Sequence, residues 1–163
     1  MLKKLVIYYT FEGDTKFIGD AIAETIDADI LELELVKDDI GKDYVKHFLG
    51  ERQVLMKTKP LLKPFNKDIT SYDLLVIGTP VWSGTYAPAL RTFFSETKIT
   101  GKKIALFYCF TVKPGRISKR LRKALKGNKI IAEIGFKDPL KHDKEKDRQK
   151  AQNWAKENLA KLD

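Results

Sequence analysis

The chain has 163 residues, 31 Lys and Arg against 22 Asp and Glu, and a single cysteine, Cys109. The length fits one domain, residues 1–163, whose core is large enough to do without disulfides or a metal. The lone Cys109 excludes an intrachain disulfide and a cysteine-based zinc finger, and 43% hydrophobic with 33% charged residues excludes a collagen-like or disordered chain.

The opening Met1-Leu2-Lys3-Lys4 leads into only five apolar or aromatic residues, 5–9. A signal peptide needs roughly 7–15, and a membrane span about 20. A cytoplasmic protein with no membrane partner is therefore expected.

Residues 5–9, Leu5-Val6-Ile7-Tyr8-Tyr9, predict a strand buried on both faces, as do residues 74–78 and 104–109. Near-continuous apolar strands belong to parallel sheets covered by helices on both sides. Residues 30–35 alternate, which suits a strand near a sheet edge, and residues 130–136 give a fifth candidate. Between the first two strands, Phe17, Ile18, Ala21, Ile22 and Ile26 recur at helical spacing. A short helix is predicted at 88–94. Another carries Ile117, Leu121, Ala124 and Leu125 and stops at Gly127-Asn128. Ala151, Trp154, Ala155, Leu159 and Leu162 make the last helix amphipathic. The connection 36–72 is long. Tyr44, Val45, Phe48 and Leu49 suggest a short helix within it, and residues 57–64 should be extended around two prolines. Alternating strands and helices with right-handed crossovers give a doubly wound α/β sandwich.

Two loops carry the chemical signal. After the first strand comes Thr10-Phe11-Glu12-Gly13-Asp14-Thr15, feeding directly into a helix. Hydroxyls flanking a glycine at a helix start suit a phosphate, because unpaired N–H groups and the helix dipole face the anion. A helix capped by Asp14, with merely local hydroxyl hydrogen bonds, would look the same. After the third strand comes Gly78-Thr79-Pro80-Val81-Trp82-Ser83-Gly84. A tryptophan there, at the carboxyl end of a central strand, could wall a planar ligand or pack on neighbouring loops. The fourth strand opens a third loop, Phe110-Thr111-Val112-Lys113-Pro114-Gly115.

The motifs Tyr9-Thr10-Phe11-Glu12-Gly13-Asp14-Thr15 and Gly78-Thr79-Pro80-Val81-Trp82, both at strand ends, resemble those of flavodoxin-like proteins. The likeness extends through Tyr72-Asp73 and Gly101-Lys102-Lys103 to nearly the whole chain. It implies a five-stranded parallel sheet in order 2-1-3-4-5 and one noncovalent FMN. It also implies that Thr10, Thr15 and the backbone of Phe11, Glu12, Gly13 and Asp14 hold the phosphate. Thr79, Pro80, Val81, Trp82, Ser83 and Gly84 would flank the ring system, with Phe110, Thr111, Val112, Lys113 and Gly115 opposite. Asp14 stands where asparagine is usual, and it and Glu12 should weaken phosphate binding unless both point outward. The resemblance implies electron transfer to a redox partner, or hydride transfer from NAD(P)H to a quinone or similar acceptor.

The charge is uneven: residues 1–97 carry net −3 and residues 98–163 net +12. Lys113, Arg116, Lys119, Arg120, Arg122, Lys123, Lys126 and Lys129 crowd one acid-free segment. A solvated basic face is the plain reading of such a run; as a functional site it suits docking of an acidic redox protein, or of an anionic substrate such as a pyridine nucleotide phosphate. Nucleic acid is not expected, since no aromatic residue interleaves the cations. His47 and His142 have no companion ligands nearby in sequence, and no metal site is expected.

Overall fold

A computed structural model describes residues 1–37 and 59–162. The segment expected to hold the short helix around Tyr44–Leu49 lies outside the described residues, as do His47 and residues 57 and 58.

Six strands form the sheet: β1 (Lys4–Tyr8), β2 (Asp29–Glu32), β3 (Leu74–Trp82), β4 (Thr85–Tyr86), β5 (Lys103–Phe110) and β6 (Lys129–Lys137). The order is β2-β1-β3-β5-β6, with these five strands parallel and β4 added antiparallel to the end of β3. Apart from β4, this is the expected 2-1-3-4-5 arrangement. Among the described residues four α-helices flank it: α1 (Asp14–Ile26), α2 (Pro88–Glu96), α3 (Ile117–Ala124) and α4 (Lys144–Asn158).

The sheet separates two cores. On one face Leu5, Ile7, Leu75, Ile77 and Leu106 pack against Leu90 and Phe93 of α2 and Ile117 and Leu121 of α3. On the other, Val6, Tyr8, Val76 and Phe107 meet Ile18 and Ile22 of α1 and Ala151 and Ala155 of α4. Alternate residues of one strand thus serve opposite layers, which is why the central strands are apolar throughout. Each buried isoleucine of α1 contributes about 1.5–3 kcal/mol as an upper bound. Pro88 starts α2, where its missing N–H costs nothing. Asp143 caps α4 by accepting from the Lys146 N–H at 3.1 Å, an interaction worth roughly 1 kcal/mol.

The second strand is shorter than its alternation predicts. Pairing with β1 ends at Glu32, and the Leu33 N–H still reaches the Tyr8 carbonyl at 2.8 Å. Leu35 then turns to an antiparallel bridge with Leu62. Pairing stops at Glu32 because its partner Tyr8 is the last residue of β1. Residues 59–64 contain no helix, as their prolines require.

Candidate functional site

The loops leaving β1, β3 and β5 share the carboxyl edge of the sheet, where β1 sits between its sequence neighbour β2 and β3. The crossover connections diverge there and leave a crevice, the usual place for a ligand in this architecture.

In the first loop Gly13 is left-handed, at φ 102°. That conformation costs glycine little and turns successive N–H groups to one side. The Thr10 hydroxyl oxygen accepts from the N–H of Gly13 at 3.2 Å and of Lys16 at 3.3 Å. Thr10, not Asp14, is thus the side chain that satisfies the start of α1. Among the described residues nothing accepts from the backbone N–H of Phe11, Glu12, Asp14 or Thr15. Four donors clustered at the positive end of a helix form a ready anion cradle.

Thr15 is buried at the base of this loop, as is the Cys109 thiol at the end of β5. Burial pushes that thiol far above its ordinary range, and the Asp14 charge adds to the shift. Cys109 is therefore a packing residue with little nucleophilic character.

Both carboxylates of the loop turn toward the segment after β6. Asp14 accepts from the Leu140 N–H at 3.0 Å, and Glu12 lies 4.0 Å from the Lys141 ammonium. Both side chains are thus engaged by residues outside the loop. Asp138 completes the link: its carboxylate accepts from the Thr111 hydroxyl at 3.0 Å and its N–H donates to the Phe110 carbonyl at 2.9 Å. The turn at 138–141 ties the first loop to the third. Asp138-Pro139 is readable as a turn in the sequence, but its contact with Asp14, 126 residues away, is not.

The second segment is a strand continuation and a hairpin, where the sequence suggests a loop. Val81 pairs with Tyr86 and Trp82 with Thr85, and the tip residues Ser83 and Gly84 have φ of 53° and 71°. Two consecutive positive φ values are the type I′ turn that matches strand twist. Thr79 is fully buried; its hydroxyl accepts from the Ala87 N–H at 3.0 Å and donates to the Pro80 carbonyl. Thr79 closes the hairpin base, and Pro80 and Val81 are half-buried beside it.

Trp82 does find a core. It is 8% exposed and meets Phe11 and Tyr9 edge-on, with ring centroids at 5.7 and 6.1 Å. The first loop and the hairpin are joined through these rings. The hairpin and the third loop are joined by backbone: a methyl group added at Gly115 would lie 2.9 Å from the Gly84 Cα. Thr111, Val112 and Lys113 are exposed on this rim, and Phe110 is half-buried. All three predicted loops therefore meet at one edge of the sheet.

Helix α3 leaves this rim. Inside it only Ile117 and Leu121 are buried, and a polar cluster supplements them. Glu133 accepts from the Ser118 hydroxyl at 2.9 Å, from the Tyr108 hydroxyl at 3.2 Å and from the Arg122 guanidinium. Burial, then the Glu133 charge, pushes the Tyr108 hydroxyl up to about 12. Burial opposes ionisation of Glu133, but Arg122 and Ser118 outweigh it and hold the carboxyl below its usual range.

A sequence model of the flavodoxin family matches residues 3–158. A flavoprotein from Lactobacillus acidophilus, solved in complex with FMN, superimposes with a TM-score of 0.71 at 25% identity, covering 88% of this chain and 98% of that one. A crystal structure from Bacteroides eggerthii gives 0.73 at 18% identity over 95% and 99% of the two chains, a likeness of fold. A curated relative from Gluconacetobacter diazotrophicus, named NAD(P)H dehydrogenase (quinone), is 30% identical over 103 residues, 60% of this chain. The match spans 47% of that relative, about half its length. With its family model spanning nearly every residue and its loops gathered at the switch point of a 2-1-3-4-5 parallel sheet, the chain belongs to the flavodoxin family.

Proposed function

We propose that the protein binds FMN noncovalently at this rim and carries electrons between redox partners. The observation that carries the reading is the cradle of four unpartnered N–H groups at the start of α1, beside Trp82 and the third loop. A phosphate fits that donor set, since each group is a hydrogen-bond donor and the helix end is positive. Phe11, half-buried, and the exposed edge of Trp82 supply apolar surface for a flat ring. FMN, when bound, supplies reversible electron and hydride chemistry; the protein's part is position and electrostatics. A cytoplasmic setting suits the free, buried Cys109, and no described helix is long and apolar enough to cross a membrane.

Affinity for FMN against riboflavin tests the assignment. Hydrogen bonds to a charged group are worth about 1.5–3 kcal/mol, so riboflavin should bind at least roughly tenfold more weakly. Equal affinities in a fluorescence-quenching titration would remove the phosphate from the cradle.

Asp14 gives a second prediction. Asp14→Asn keeps an oxygen for the Leu140 N–H and removes a negative charge next to the proposed phosphate. FMN affinity should rise severalfold with stability unchanged. Asp14→Ala removes the charge and the tie together, so the Leu140 N–H loses its partner. Thermal stability should then fall by about 1 kcal/mol. If neither variant alters FMN affinity in the titration, Asp14 lies too far from the bound anion to matter.

A second reading, NAD(P)H-dependent reduction of a quinone, is favoured by the name of the Gluconacetobacter relative. Steady-state oxidation of NADH or NADPH with a soluble quinone separates the two. Sustained turnover without a protein partner supports the enzyme reading.

A further inference from the structure

The segment 113–129 runs from the rim down α3 and past its end. Arg116, Lys119, Arg120, Lys123 and Lys126 follow one another at three- and four-residue spacing and are all exposed. Lys119, Arg120 and Lys123 stand at helical spacing on α3, with Arg116 at its N-cap and Lys126 just past its end. Among the described residues none of these five forms an ion pair, and Arg122, which does, turns inward to Glu133.

Folding does not account for this stripe. Like charges at helical neighbours repel. Arg116, Lys119 and Arg120 stand near the positive end of the α3 dipole, and the first turn contains no acid to offset them. A short helix holding two buried residues gains nothing from such a face. At the rim end the stripe meets Val112, which is 78% exposed. A one-signed, unpaired charge stripe steers an oppositely charged partner toward this face.

We propose that the outer face of α3, with Val112 and the third loop at its rim end, is the docking surface for the acidic face of a partner protein. The inference rests on the reading above only in that the partner would then sit against the FMN rim. Single-stranded nucleic acid lacks a stacking platform here, since residues 113–129 include no aromatic side chain.

Binding of probes of opposite charge to the full chain tests it: a strongly acidic plant-type ferredoxin, cytochrome c as the basic counterpart, a single-stranded oligonucleotide and an anionic phosphatidylserine vesicle. The variant carries Lys119→Gln, Arg120→Gln, Lys123→Gln and Lys126→Gln. A control removes the same charge from the α4 end through Lys144→Gln, Lys146→Gln, Lys156→Gln and Lys161→Gln. The ferredoxin should bind, and cytochrome c should not. Its affinity should fall as salt rises, and should drop roughly tenfold in the α3 variant while the control stays near wild type. No ferredoxin binding, equal losses in the two variants, or tighter binding of the oligonucleotide or vesicle would overturn the proposal. FMN titration of the same proteins keeps the two readings apart. Loss of FMN binding in the wild type refutes the cofactor assignment, whereas the docking result is read from ferredoxin affinity alone.

Discussion

Phe107→Ala is expected to destabilise the protein by about 3–5 kcal/mol, the cost of emptying a large, well-packed site. Phe107 is fully buried on β5, and its register partner on β3 is Gly78. A methyl group added at Gly78 would lie 2.0 Å from the Phe107 ring, and one added at Gly19 on α1 would lie 2.7 Å from Tyr8 and 3.2 Å from Phe107. Two aromatic rings thus fill the space between sheet and helix that these glycines leave open. Gly78→Ala forces the Phe107 ring aside and should cost about 1–3 kcal/mol or more. The coupling is diagnostic: in Phe107→Ala the Gly78→Ala change has room and should cost far less. Urea denaturation of the two single variants and the double variant measures this. Simple additivity would mean that Phe107 and Gly78 do not share the space.

Trp82→Ala is expected to act twice. The ring is nearly buried against Tyr9 and Phe11, so its removal should cost about 3–5 kcal/mol of stability. A domain with a typical 5–15 kcal/mol in hand remains folded. The same change should weaken FMN binding by about 1–3 kcal/mol through lost contact area and a loosened first loop. Trp82→Phe separates the roles. It keeps an aromatic plug between Tyr9 and Phe11, and should recover most of the stability but less of the affinity. Denaturation and FMN titration on the same preparations check both. A Trp82→Ala protein that is destabilised yet binds FMN normally would make Trp82 a core residue alone.

The layers of this protein were legible because parallel strands buried on both faces have a local signature. Leu5-Val6-Ile7-Tyr8-Tyr9, the run at 74–78 and the run at 104–109 are apolar without interruption, and only a sheet covered on both sides uses such strands. The helix stops and starts were local too: Pro88 opens α2, and α3 is over before Gly127. The first loop could be recognised because a helix N-terminus presents its donors wherever it occurs, with Thr10 and Gly13 beside it.

What the sequence could not carry was the identity of each partner. Residues 30–35 alternate like a longer strand, yet pairing with β1 ends at Glu32 because β1 itself ends at Tyr8, and Leu35 bridges a later connection instead. Asp14 has the chemistry of a cap, but Thr10 takes that place and Asp14 instead holds the Leu140 N–H. Trp82, set among Pro, Ser and Gly, is open in the sequence to either a ligand or neighbouring loops, and it packs on Tyr9 and Phe11 from another loop. Periodicity and capping reflect forces between residues within a few positions of one another. Which loops share a rim depends on strand order, and only the folded sheet brings Phe11, Trp82, Gly115 and Leu140 to the same edge.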